Sequence, residues 1–248
     1  MTVQAPIIEI FSSYQGEGPH LGERHLFVRF QDCELSCKFC DTPLSFIDNK
    51  FCRVEQIPFS KKFKNVPNPM TVESLNSLLA DFDDSTLSVT GGEPLQKTFF
   101  LQEWLPTLRP RFKVLLETAG VHFGEFRDIA ASVDIVSMDL KLPSVTGMHP
   151  WWREHEAFLK AALEGGQREV YVKIVISSEV EEKDVVRSID LLGSFDSRIP
   201  VILQPASAFG RFRTTPSIEQ VSHWQQFFQK SLANVRVIPQ MHKLMSIA

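Results

Sequence analysis

Hydrophobic positions along the chain follow two alternating rhythms. Short runs rich in β-branched and aromatic residues occur at HLFVRF (25–30), TLSVT (86–90), KVLLET (113–118), DIVSMDL (134–140), VYVKIVI (170–176) and IPVIL (199–203), with a further candidate at NVRVI (234–238). From the second run onward the spacing is about 20 to 36 residues, the length of one strand plus one crossover helix. Because parallel neighbours cannot be joined by a tight hairpin, this spacing predicts a parallel sheet.

The intervals carry a helical period. After Thr71, a residue suited to capping, Val72, Leu75, Leu78, Leu79 and Phe82 recur every three or four positions. Phe99, Phe100, Trp104, Leu105 and Leu108 repeat the pattern, and Thr215–Pro216 reads as a helix start ahead of Ile218, Val221, Trp224, Phe227 and Phe228. These stripes are expected to be core. The predicted class is α/β, an open partial (β/α) barrel of about six parallel strands with ligands at the C-terminal strand ends, since six or so units are too few to close an eight-fold barrel. Residues 43–70 have no clean period. They are expected to form a loop or insertion in a single domain spanning 1–248, with Lys61, Lys62 and Lys64 a solvated surface run.

Composition narrows the class. At 248 residues and 28.2 kDa the chain can bury a sizeable core, and its 43% hydrophobic and 23% charged residues exclude disordered and fibrous classes. No apolar run approaches the roughly 20 residues of a membrane span. MTVQAPIIEIF lacks the basic start and unbroken apolar stretch of a secretory signal, so a cytoplasmic location is expected. With 26 Lys plus Arg against 30 Asp plus Glu, the formal charge of -4 has the wrong sign for tracking a phosphate backbone, and no direct nucleic-acid partner is expected. The seven histidines form no i, i+4 pair, and apart from His242 most are expected at the surface.

Directly after the first run comes Cys33-Glu-Leu-Ser-Cys37-Lys-Phe-Cys40-Asp41-Thr42. A C-x3-C-x2-C loop can wrap three thiolates around one inorganic centre; on a cubane cluster this leaves one iron open to chelate a small molecule. The alternative is a structural zinc site completed by Cys52 or a histidine. One βα unit later TLSVT ends in Gly91-Gly92-Glu93-Pro94, where glycines admit close backbone approach and a carboxylate can accept from an ammonium group. Together the two motifs resemble the radical S-adenosylmethionine (SAM) superfamily, whose GGEP segment contacts the cofactor's methionine amino group. That resemblance implies a radical SAM core fold, a [4Fe-4S] cluster on Cys33, Cys37 and Cys40, and SAM contacts from Gly92 and Glu93.

Within that superfamily the chain resembles the 7-carboxy-7-deazaguanine synthase family. EIFSSYQGEG (Glu9 to Gly18), RHLFVRFQDCELSCKFCDT, TGGEP and the terminal PQMHKLMSIA carry the likeness. Activases that act on a protein share the cluster motif and GGEP but are not expected to have both ends. The resemblance implies an enzyme in which a reduced cluster cleaves SAM to a 5′-deoxyadenosyl radical, which acts on 6-carboxy-5,6,7,8-tetrahydropterin; the ring contracts with loss of ammonia to 7-carboxy-7-deazaguanine, in queuosine or deazapurine biosynthesis. It further implies a one-electron reductant such as flavodoxin or ferredoxin, Mg2+ and a homodimer.

By the same resemblance Tyr14, Gln15 and Gly16 line the pterin site with Thr90 and Ala248. Arg29 meets the substrate carboxylate, and Glu117 and His242 join it as catalytic residues. Thr42 ligates magnesium, while Ser137, Asp139, Lys141 and the Gln204-Pro205-Ala206-Ser207 segment contact SAM. Read without the resemblance, Arg29 suits a structural ion pair, Thr42 a turn and Glu117 a helix cap. The chain departs from the family pattern at Ala119, where relatives carry an amide, at Asp139 and Lys141, where many have Ser-Pro-Lys, and at Ala248, where some have proline.

Overall fold

The computed structural model describes residues 2–245. It opens with β1 (Gln4–Ala5) and the longer β2 (Ile7–Tyr14), which folds back as β3 (Arg24–Phe30). A 3-10 turn (Pro43–Phe46), a hairpin of β4 (Phe51–Glu55) and β5 (Phe63–Pro67), and the short β6 (Met70–Thr71) follow. Helices and strands then alternate: α1 (Val72–Leu79), β7 (Thr86–Gly91), α2 (Thr98–Trp104), β8 (Lys113–Thr118), α3 (Phe123–Ile129) and β9 (Ile135–Asp139). The remainder is α4 (Pro143–Thr146), α5 (Trp152–Leu163), β10 (Glu169–Ile176), α6 (Glu182–Gly193), β11 (Val201–Pro205), α7 (Ile218–Gln229), β12 (Val235–Val237) and α8 (Met241–Leu244).

The ten-stranded sheet runs β12-β11-β10-β9-β8-β7-β3-β2-β4-β5. From β12 to β3 every neighbour is parallel, so all six expected runs and the further candidate join one partial barrel. Residues 43–70, expected to be a loop or insertion, hold a hairpin: β4 pairs parallel with β2 and antiparallel with β5, extending the sheet edge. Cys52 and Val54 alternate inward from Phe51 and Arg53, a period too short to stand out in a polar segment. The strand β2 also went unread, its run broken by Ser12 and Ser13, which are buried.

The helix-facing side of the sheet carries the main core, where Leu26, Val28, Phe30, Leu87, Val89, Val114 and Leu116 pack under Phe100 and Trp104. Phe30 and Trp104 rings lie 5.8 Å apart. Burying one such aromatic is worth about 2 to 3 kcal/mol. Thr71 caps α1 by accepting from Ser74 N, as its position suggested. The helix expected at Thr215–Pro216 instead starts at Ser217, which forms a capping box with Gln220. Two members of the predicted stripes are not core: Phe99 and Ile218 are 81% and 73% exposed, each next to residues that turn inward. His20, His25 and His155 are buried, contrary to the surface expectation.

Candidate active site

Strand alternation places a second set of side chains on the barrel lumen. Val114 and Leu116 face the helices, so Leu115 and Glu117 face inward; the same alternation turns Thr90, Ser137, Asp139, Tyr171, Lys173 and Gln204 to the lumen. Parallel register sets them side by side: Arg29 pairs with Thr90, Glu117 with Ser137, Asp139 with Lys173, and Val175 with Gln204. Leu115 and Tyr171 pack with Ile135 and Ile202 below; the others line one cavity of about 530 Å³ at the C-terminal strand ends. Cys33, Cys37, Cys40 and Thr42 line the same cavity, as do Tyr14, Gln15, Gly16, Gly92, Lys141, Ala206, Ser207 and His242.

The cysteine loop is seated by main-chain contact. Gly92 N donates to Phe30 O at 3.0 Å and Glu93 N to Asp32 O at 2.8 Å. A methyl on Gly92 would lie 2.0 Å from Asp32 O and 3.1 Å from the Cys33 side chain, so only glycine fits. Leu35, Ala119 and Val121 form an apolar seat against Cys33 and Cys37, the packing that Ala119 supplies in place of an amide. Burial pushes the Cys33 thiol up to about 12 and raises Cys37, so metal loading must release protons. Among the described residues no group of three His, Cys, Asp or Glu side chains converges on one metal position. A cubane asks for no such convergence, since each thiolate takes its own iron. Cys52 is fully buried away from this cavity.

Glu93 departs from expectation. It does not line the cavity; its carboxylate is buried, accepting from Thr118 Oγ1 at 2.8 Å, Ala119 N at 2.7 Å and Leu95 N at 3.2 Å, and burial raises its pKa. It braces the turn beyond β8 from behind. Pro205 likewise stays out of the lining, although Gln204, Ala206 and Ser207 on either side enter it. Ala248 lies outside the described residues.

Away from these main-chain contacts the lining is built from side chains. Glu117 accepts from Gln15 Nε2 at 3.0 Å and from Thr90 Oγ1 at 2.7 Å, tying three separate strands or loops. It is not a helix cap. Arg29 Nε donates to Glu9 at 3.0 Å, so an ion pair does exist, yet it occupies one edge of the guanidinium and no other side chain among the described residues takes the Nη groups. Tyr14 is half-exposed at the rim, its ring 5.0 Å from Phe59. His242 packs on Gly16, where a methyl would meet its Nδ1 at 2.5 Å. Burial lowers the His242 pKa.

A charged ladder joins the two walls. Lys173 pairs with Glu17 and lies 3.6 Å from Asp139, and Asp139 accepts from Lys141 at 2.8 Å. Burial would raise both carboxylates, but Lys173 with a bond from Gln240 outweighs it at Glu17, and Lys141 with Lys173 outweighs it at Asp139, so both are lowered. Among the described residues Asp139 Oδ1 and Gln204 Oε1 are buried without a partner, so each is an acceptor suited to a ligand. Glu9, Glu17, Asp41 and Lys173 were not singled out from sequence. Lys173 was visible as the one charge inside the apolar run VYVKIVI, whereas the others are meaningful only through partners far along the chain.

No family model matches the chain. It is 36% identical over 249 residues to the 7-carboxy-7-deazaguanine synthase of Geobacter sulfurreducens, covering 97% of each chain. It is 32% identical over 248 residues to the protein of that name from Methanopyrus kandleri, covering 96% of this chain and 92% of that one. Among solved structures it is similar to QueE from Escherichia coli, with TM-score 0.58 and 19% identity over 96% of this chain and 95% of that one. Streptococcus suis SuiB bound to S-adenosylmethionine is similar at TM-score 0.54 and 13% identity, over 86% of this chain and 51% of that one.

Proposed function

The chain belongs to the 7-carboxy-7-deazaguanine synthase family of radical SAM enzymes, and from that premise we propose how its residues divide the work. The activity is the ring contraction of 6-carboxy-5,6,7,8-tetrahydropterin to 7-carboxy-7-deazaguanine with loss of ammonia. Cys33, Cys37 and Cys40 would hold a [4Fe-4S] cluster beside SAM, and these groups supply the one-electron chemistry that removes a hydrogen atom from the substrate. The unpartnered Asp139 Oδ1 and Gln204 Oε1 suit cofactor hydroxyls, with Ser137, Ala206 and Ser207 completing that wall and Pro205 shaping its turn. Lys141 keeps Asp139 ionised. Gly92 offers its backbone to the cofactor. Glu93 acts by fixing Thr118 and Ala119; a direct contact with an ammonium group would require it to give up those partners.

The Nη edge of Arg29, untaken among the described residues, suits a bidentate grip on the substrate carboxylate, held in aim by Glu9. Glu117, Gln15 and Thr90 present a bonded row that can exchange partners with the pterin's amide and ring nitrogens. Tyr14 and Gly16 complete the pterin surface. His242, kept neutral by burial, and Glu117 are the titratable groups able to trade protons with the substrate as nitrogen departs. Thr42 makes no capping bond, leaving its hydroxyl for magnesium, which accepts few protein oxygens when substrate and water fill its shell. A one-electron reductant such as flavodoxin or ferredoxin, a homodimer and a cytoplasmic location belong to the same reading; among the described residues no helix is long and apolar enough to cross a membrane.

One observation carries this reading: three cysteines line the same cavity as an arginine, a glutamate and an amide. Anaerobic reconstitution should load about four irons, and with SAM and carboxytetrahydropterin should yield carboxydeazaguanine by mass spectrometry. An iron-loaded protein that cleaves SAM but leaves the pterin intact would overturn it.

A further inference from the structure

The described part of the C-terminal segment, Gln240 to Met245, has almost no apolar anchorage. No residue of Met241–Leu244 is buried, and Leu244 and Met245 are 71% and 54% exposed. Polar ties hold it instead. Met241 N donates to Gly16 O at 2.9 Å. Gln240 Nε2 donates to Glu17 Oε1 at 2.9 Å and to Asp41 Oδ2 at 3.0 Å. Lys243 Nζ reaches the same Asp41 oxygen at 2.6 Å and Gln240 Oε1 at 2.7 Å.

The far end of these ties is the cysteine loop, because Asp41 stands between Cys40 and Thr42. Beyond its seat on Gly92, Glu93 and the Leu35 cluster, that loop is lightly held: no strand or helix lies between Phe30 and Pro43, and its outer part has few backbone bonds, among them Lys38 N to Thr146 O and Cys40 N to Cys37 O. Two weakly anchored segments therefore share one fastening. When two ordering equilibria share a contact, favouring one favours the other by the same free energy.

We propose that Asp41, Gln240 and Lys243 are positioning residues, a clasp that makes the placement of His242 over Gly16 depend on the ordered, ligated cluster loop. The inference rests on reading Cys33, Cys37 and Cys40 as cluster ligands. It gives the terminal Q-x-H-K segment two tasks, with Gln240 and Lys243 fastening what His242 uses. It also orders events: the segment that carries His242 is fully held only on a chain whose cluster is in place.

Hydrogen–deuterium exchange of the full chain, with and without the reconstituted cluster and without substrate, tests the coupling. In the wild type, loading should slow exchange in the peptide containing Met241 and Met245 by about threefold to tenfold, the range for one partly exposed charge-assisted tie. Lys243→Met should take up iron as the wild type does yet lose that protection, and its KM for carboxytetrahydropterin should rise about tenfold with a smaller change in kcat. Lys243→Arg should restore both. Equal protection in wild type and Lys243→Met, or none in loaded wild type, would overturn the coupling alone. A wild type that takes up no iron would overturn the cluster reading and the coupling with it.

Discussion

The two walls of the cavity are made of different material. On the cysteine side the decisive contacts are main chain: Gly92 and Glu93 lie against Phe30 and Asp32, and no side chain beyond hydrogen is tolerated at Gly92. On the pterin side they are side chains drawn from across the chain, such as Gln15 with Glu117 and Arg29 with Glu9. A main-chain wall restricts residue types locally and leaves a motif. A side-chain wall leaves scattered polar residues whose meaning lies in their partners, and it can be altered without unseating the cluster.

The harshest way to break the first wall is Gly92→Ala. The added methyl would collide with Asp32 O and crowd Cys33, so iron loading should be abolished, with overpacking adding about 1 to 3 kcal/mol of destabilisation. Iron analysis and thermal unfolding would check both. Arg29→Lys should spare iron loading while raising the substrate KM at least about tenfold, because a point ammonium cannot reproduce the guanidinium fork. Steady-state kinetics with SAM saturating would show a normal KM if the carboxylate contact is absent.

A third expectation concerns the scaffold beneath both walls. Buried His155 donates from Nδ1 to Gly120 O at 3.0 Å and accepts at Nε2 from Lys141 N at 3.1 Å, linking two strand-end turns. Burial pulls its pKa down to about 4 from 6.5, so the folded chain resists the proton that the unfolded chain accepts. Its contribution is complete above pH 6.5 and is lost as pH falls toward 4, on the order of 3 kcal/mol across that window. Unfolding midpoints for wild type and His155→Gln between pH 7 and 4.5 should converge as pH falls; parallel curves would show that His155 is not the group responsible. The smallest effect is expected from Cys52→Ala, which should keep full iron content and lose about 1 kcal/mol of core packing.

The sequence was most legible where period and local chemistry coincide. The apolar runs from 86 to 203 became strands because β-branched residues alternate there, and the cysteine spacing and the Gly91–Gly92 pair declared a close-approach loop without any partner being known. Less could be read where a residue's role is set by distant neighbours. Glu93 reads as a cofactor contact because a carboxylate after paired glycines can accept from an ammonium group, yet Thr118 and Ala119 already hold that carboxylate. Glu17 and Lys173 are 156 positions apart and announce each other only in the folded lumen. The β4–β5 hairpin is hard to read because β4 buries Cys52, Val54 and the charged Glu55 while exposing Phe51, so its apolar positions do not mark one face.

The difference between the walls can be measured most directly in Glu117→Gln, which preserves shape while removing the carboxylate that joins Gln15 to Thr90. The reconstituted variant should bind SAM with wild-type affinity in a calorimetric titration and still cleave it slowly without substrate, while forming little or no carboxydeazaguanine. If SAM affinity falls together with product formation, the two walls are not separable and the assignment of Glu117 to the substrate side is wrong.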